Sequence, residues 1–177
     1  MFGEPGRGDR IARIVGVPLL IVFVLVTAVF YVIFSHLVVV GHSMLPALRD
    51  TDRVLITRGY DTPQVGDIVV VRVTSPHTGE VEDFIKRVVA VEGDTVSVVS
   101  GIAYVNGARE SAVYEVLTSD EDVTTPEVLV PSGSIYVLGD NRPASFDSRF
   151  YGPVPLSAAV GRVVAIYAPL DRIGTVD

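Results

Sequence analysis

The sequence predicts a mainly β domain carried on one N-terminal membrane-spanning helix. An uncharged apolar run extends from Ile14 to Phe34, and about 20 apolar residues suffice for a helix to cross the hydrocarbon core. Beyond it helical periodicity is scarce, and short runs rich in Val and Ile recur between turn residues, the pattern of successive strands. Strands this short and apolar must hide their edges by stacking or closing, so a coiled, partly barrel-like antiparallel assembly is expected.

Residues 1–13 mix Gly, Pro and charge and read as an irregular tail. Residues 14–36 read as the anchor, with Pro18 near its start, where a first-turn proline costs little. A cleaved signal would have an apolar region of roughly 7–15 residues ending in a small-x-small site. Here the run is longer and continues into Ser35-His36-Leu37-Val38 without an Ala-x-Ala, so a retained anchor is expected. Arg7, Arg10 and Arg13 precede the span, and flanking cations favour the cytoplasmic side. Arg49, Arg53 and Arg58 follow it, but long domains translocate largely regardless of charge. The N-terminus is therefore expected in the cytoplasm, with residues 37–177 outside the plasma membrane.

In that domain strands are expected at 37–40, 53–57, 67–73, 84–92, 95–99, 102–105, 134–138 and 160–167. Gly66-Asp67 and Gly93-Asp94 introduce two of them, and Thr51-Asp52 a third. Glycine supplies an unusual backbone angle there, and the aspartates are expected to bond the amides that follow. Asn106-Gly107 reads as a hairpin turn. Residues 108–131, acidic with Thr and Pro from Ser119 to Pro131, read as an exposed excursion.

Composition removes several functions. Without cysteine there are no disulfides, thiolate chemistry or cysteine metal sites. Three separated histidines make no metal cluster, and no metal or cofactor is expected. The net charge is −7. The three arginines of residues 1–13 outweigh Glu4 and Asp9 by one, so the remainder carries −8, and an acidic domain is a poor nucleic-acid ligand.

Three stretches carry chemistry. Gly41-His42-Ser43-Met44-Leu45-Pro46-Ala47-Leu48 puts a serine just past the span, between a glycine and a proline. No histidine suits a triad. His42 is adjacent and points away if this segment is extended, His36 lies at the membrane, and His77 lies in a loop that reads as solvated. The second stretch is Phe84-Ile85-Lys86-Arg87-Val88-Val89-Ala90-Val91. Lys86 is the one lysine among 14 basic residues. Strand alternation puts Phe84, Lys86, Val88 and Ala90 on one face and Ile85, Arg87, Val89 and Val91 on the other. An amine among apolar neighbours loses its proton more readily. A neutral lysine can act as a base, whereas arginine cannot. Compositional bias with one surviving surface lysine explains the same count. The third stretch, Gly139 to Gly152, is dense in polar side chains. Asp140 with Arg142 and Asp147 with Arg149 are candidate ion pairs, and Ser145 is placed to orient a lysine.

Ser43-Met44-x-Pro-x-Leu, Lys86-Arg87 on a strand ending in Glu92-Gly93-Asp94, and Gly139-Asp140-Asn141-Arg142 with Ser145, Asp147-Ser148-Arg149 and Gly152 resemble, in order, the motifs of bacterial type I signal peptidases. The resemblance runs from the anchor to about residue 170 and implies the signal peptidase type of β fold. It implies Ser43 as nucleophile, Lys86 as general base and Ser145 as the hydroxyl holding the lysine. It implies Asp147 and Arg149 as a structural ion pair, and a cleft walled by Leu37, Val39, Met44, Leu48, Phe84 and Ile85. The implied partners are the lipid bilayer and signal peptides of exported preproteins cut after small-x-small sites, with the protein-export machinery as a further candidate. Gly41 stands where some relatives carry a Ser or Thr that helps hold the oxyanion, leaving the Ser43 amide as one donor. Ala47 replaces the usual Thr, and Pro143-Ala144 replace Asp-Asn. Lys86 stands where eukaryotic and archaeal-type relatives have His. Three rival readings share the sequence: a processing peptidase dedicated to one substrate, such as a conjugative pilin; a self-cleaving repressor-type serine–lysine protease, against which the anchor argues; and a non-catalytic tethered β module.

Overall fold

The computed structural model describes residues 7–60, 62–75, 78–110, 113–119, 121 and 123–176, with side chains from residue 14 onward. Residues 1–6 of the expected tail and His77 lie outside the described residues. The chain divides into two units, Met1–Ser35 and His36–Asp177.

The first unit is a helix, α1, Arg7–Ile33. It starts seven residues before the apolar run, so helical backbone reaches back into the segment read as an irregular tail. Pro18 therefore sits inside the helix rather than in its first turn, where it removes one backbone bond. Residues Ile14–Ile33 have a mean hydropathy of 2.7, and none of that window is buried among the described residues. A helix apolar on every side suits lipid surroundings. Residues 34–36, expected to complete the anchor, are already extended.

The second unit is built on antiparallel sheets. The strands are β1 Phe34–Val38, β2 Arg53–Arg58, β3 Ile68–Thr74, β4 Val81–Val91, β5 Thr95–Val99, β6 Ile102–Val105, β7 Ala108–Arg109, β8 Thr125–Leu129, β9 Ser134–Leu138, β10 Val154–Pro155, β11 Ala159–Ala168 and β12 Gly174–Thr175. A short helix, α2, spans Ser148–Tyr151. The larger sheet runs β1-β2-β11-β3-β4-β9-β10, with β12 on β11; the smaller runs β7-β6-β5-β8.

The turns explain much of this order. Val105 pairs with Ala108, leaving Asn106 (φ 51°) and Gly107 (φ 78°) as a two-residue loop. Two positive φ values in succession define the hairpin turn that asparagine–glycine favours. The three aspartate turns share one bond, but its direction differs from expectation. The carboxylates of Asp52, Asp67 and Asp94 accept the amides of Arg49, Gln64 and Val91, each three residues earlier. The side chain thus closes the turn it ends. β8 is a second departure, because part of the expected excursion pairs with β5.

Strand β4 is buried on both faces from Ile85 to Ala90. Ile85 packs with Met44, Leu48, Val54 and Val70. Phe84 and Val88 pack with Val69, Val71 and Val137. The expected alternation then fails, because Val89 and Ala90 both enter the cluster of Val96, Val98 and Tyr136. The β4–β9 register slips between Val88 and Ala90, as a β-bulge requires.

Candidate active site

Lys86 stands on β4 opposite Val69 of β3 and is 2% exposed. Its Nζ lies 3.0 Å from Ser43 Oγ and donates to the Ile85 carbonyl at 3.0 Å. The Phe84 ring centroid lies 5.5 Å from it. Burial pulls the amine down to about 8, against a partial opposing pull from the Asp147 carboxylate, because a low-dielectric setting disfavours the ammonium.

Ser43 begins a tight turn through Ala47, so the segment is not extended as assumed for His42. Gly41 enters it at φ 92°, a left-handed angle that favours glycine. Its amide donates to Asp50 Oδ1 at 2.9 Å. Asn141 holds this turn by two bonds. Its backbone N–H donates to the Ser43 carbonyl at 2.9 Å, and its Nδ2 donates to the His42 carbonyl at 3.0 Å. At the far end Arg172 donates to the Ala47 carbonyl and pairs with Asp52.

The loop after β9 supplies the rest. Asp147 and Arg149 form the expected ion pair at 2.8 Å, with both side chains at or below 1% exposure. Asp147 also accepts the Gly139 amide, and Arg149 donates to the carbonyls of Arg142 and Ser145. The expected Asp140–Arg142 pair is not formed. Asp140 takes both arms of Arg87 at 2.8 Å, and Arg142 takes the Glu110 carboxylate at 2.6 Å through both amino groups. Register explains the exchange: Arg87 lies opposite Leu138, two residues before Asp140. Burial raises the Asp140 carboxyl, and the Arg87 bonds oppose that rise.

Ser145 differs from expectation as well. Its buried hydroxyl has no hydrogen-bond partner among the described residues, so it does not hold Lys86. It packs against Gly139 instead, where an added Cβ would lie 2.2 Å from Ser145 Oγ and 2.6 Å from the Ser43 carbonyl. Glycine at 139 leaves room for both.

Ser43 and Lys86 open onto a cleft of about 220 Å³. Leu37, Val39, Met44, Phe84 and Ile85 line it as expected, and Val38, Val40 and Asp83 join them. Leu48 does not line it. It is fully buried in the core with Ile56 and Ile166, because the turn returns its amide to the Met44 carbonyl. A larger hollow of about 440 Å³, beside Gly66, Tyr114 and Arg162, contains neither Ser43 nor Lys86. No cluster of His, Cys, Asp and Glu suited to a metal occurs among the described residues.

Residues 11–168 match the family model of the signal peptidases, peptidase S26. The chain belongs to the signal peptidase family, S26. It is 36% identical over 143 residues to a signal peptidase I of Leptolyngbya laminosa, covering 76% of this chain and 68% of that one. It is 35% identical over 156 residues to a signal peptidase I of Bacillus caldolyticus, covering 79% and 82%. A crystal structure of a signal peptidase I from Enterococcus faecalis matches with a TM-score of 0.47 and 28% identity, over 59% of this chain and 98% of that one. As an S26 member the chain is a serine endopeptidase, and removal of signal peptides is the activity of the family.

Sequence reasoning gave Asn141 no role beyond the motif and missed Glu110 and Arg172. Asn141 was accessible through its density of polar neighbours. Glu110 and Arg172 gave no local signal, since their partners lie 32 and 120 residues away.

Proposed function

We propose that this S26 peptidase removes signal peptides from exported preproteins by a serine–lysine mechanism, with Ser43 as nucleophile and Lys86 as general base. The observation that carries the reading is the 3.0 Å approach of Lys86 Nζ to Ser43 Oγ, with the amine buried and its proton loosened. Neutral Lys86 takes the hydroxyl proton as Ser43 Oγ attacks the scissile carbonyl. The protonated lysine then returns that proton to the leaving amine, giving an acyl-enzyme. A water activated by the same amine releases the product.

Asp147 and Arg149 keep the loop after β9 in place, and Gly139 and Ser145 pack beside the Ser43 carbonyl. The Ser43 amide has no acceptor among the described residues and is free to meet an oxyanion. The Gly41 amide is occupied by Asp50, so Gly41 shapes the turn rather than donating. Apolar walls and a small volume favour substrates with small side chains at the cleft, in keeping with small-x-small sites. The helix α1 spans the plasma membrane with its N-terminus in the cytoplasm and His36–Asp177 outside. Tethering raises the effective concentration of membrane-held substrate.

The test is cleavage of a model preprotein by the detergent-solubilised enzyme, with the cut located by mass. Cleavage after a small-x-small site is expected, and both Ser43→Ala and Lys86→Arg should lose it, since arginine keeps charge but cannot serve as a base. Ordinary turnover by Lys86→Arg would remove the mechanism.

A further inference from the structure

Glu110 lies just past β7, outside the cleft, yet its carboxylate is fully engaged. Oε1 accepts the Ala103 amide at 2.8 Å and Arg142 Nη1 at 2.6 Å. Oε2 accepts Arg142 Nη2 at 2.6 Å and the Tyr114 hydroxyl at 3.1 Å. The side chains of Arg142 and Glu110 are 0% and 7% exposed. Arg142 also donates to the carbonyls of Gly139 and Gly101, and the Tyr114 ring lies 4.2 Å from the Arg87 guanidinium. The backbone adds a second tie. The Leu117 amide donates to the Asp140 carbonyl at 2.8 Å, and the Arg142 amide donates to the Leu117 carbonyl at 2.9 Å. Between those two anchored residues sits Asn141, which grips the carbonyls of His42 and Ser43.

From this arrangement we propose that Glu110 is a positioning residue for the nucleophile, acting through Arg142 and Asn141. The inference rests on Ser43 being the nucleophile. The guanidinium is buried, so its orientation depends on a charged partner, and Glu110 is that partner. Arg142 in turn fixes the loop that carries Asn141. A turn gripped through two carbonyls transmits a small displacement directly to Ser43 Oγ, and reactivity is steeply sensitive to such displacement. Residues of one network also couple non-additively.

The experiment compares wild type with Glu110→Gln, Asn141→Ala and the double variant on a model preprotein, well below each melting temperature. The Glu110→Leu/Arg142→Met pair replaces the buried charges by apolar groups, a change that folds tolerate, and covers the case in which Glu110→Gln does not fold. Asn106→Ala, which weakens the same small sheet at its turn, is the control for stability alone. Expected are a kcat about 10–100-fold lower with KM within about twofold for Glu110→Gln and for the apolar pair. The double variant should lose little more than Asn141→Ala alone, and Asn106→Ala should keep its kcat while its Tm falls. Wild-type kcat in either Glu110→Gln or the apolar pair, or fully additive losses in the double variant, overturn the proposal. Ser43→Ala is run in parallel: retained activity there removes the serine–lysine reading itself, whereas an inactive Ser43→Ala beside an unimpaired Glu110→Gln removes only the role of Glu110.

Discussion

With Lys86 as the proposed base, activity becomes a titration whose position follows from the burial of the amine. The perturbation is pH, raised from 6 to 9 at constant ionic strength. With the amine pulled to about 8 by burial, roughly 1% of the enzyme is in the neutral, competent form at pH 6, about 10% at pH 7 and about 90% at pH 9. The value of kcat/KM should therefore rise roughly 90-fold across this range and flatten above pH 9. A lysine left at its ordinary value of 10.5 would still be climbing about tenfold per unit at pH 9. At neutral pH the shift multiplies the neutral population by about 300 and corresponds to about 3 kcal/mol of disfavoured ammonium. The assay is initial-rate cleavage of a preprotein without ionisable groups near its cut, under kcat/KM conditions, so that the free enzyme is titrated. A rate independent of pH between 6 and 9, or a limb centred near 10, would refute burial of Lys86 as the source of the base.

The same burial should be visible in stability. Because the folded amine holds its proton less tightly than the unfolded one, its cost is complete below about pH 8 and is relieved as pH rises towards the ordinary lysine value. Lys86→Met should therefore be more stable to unfolding than wild type at pH 7, by up to about 3 kcal/mol, with the difference shrinking between about pH 8 and 10.5 in urea titrations. Gly139→Ala should lower kcat at least about tenfold, since its methyl would lie 2.6 Å from the Ser43 carbonyl; an unchanged kcat in a folded variant would count against the close approach. Leu48→Ala should cost about 2–5 kcal/mol in urea unfolding, while KM for a preprotein stays near wild type, because Leu48 packs in the core and not in the cleft.

What the sequence disclosed depended on how local the cause was. Strands β5, β6 and β9 have their expected boundaries because Ser100, Gly101, Asn106 and Gly133, with positive φ, punctuate the chain beside them. Strand β8 was hidden by Pro126 and Glu127, which resemble loop residues. It lies at the edge of the small sheet, where a missing amide donor is tolerated. Lys86 was legible as a lone lysine in an apolar run, and Ser43 through the order of motifs around it. The partners of Asp140 and Arg142 were not, because cross-strand register and a loop from the small sheet choose them. Ser145 shows the limit of transfer by motif: the residue is where the resemblance put it, but its hydroxyl faces Gly139 without a bond to the amine.

The slipped residue in β4 deserves a last consequence. Up to Val88, side chains are dealt alternately to the layers around Ser43 and Lys86. After the slip, Val89 and Ala90 both serve the small sheet. One continuous strand thereby serves two sheets by way of a single extra residue. Deleting Val89 would set Val88 opposite Val137 and Ala90 opposite Tyr136 in an unbroken ladder, so the later side chains of β4 would keep their faces, Lys86 would stay in place, and the small sheet would lose only the Val89 side chain from its core.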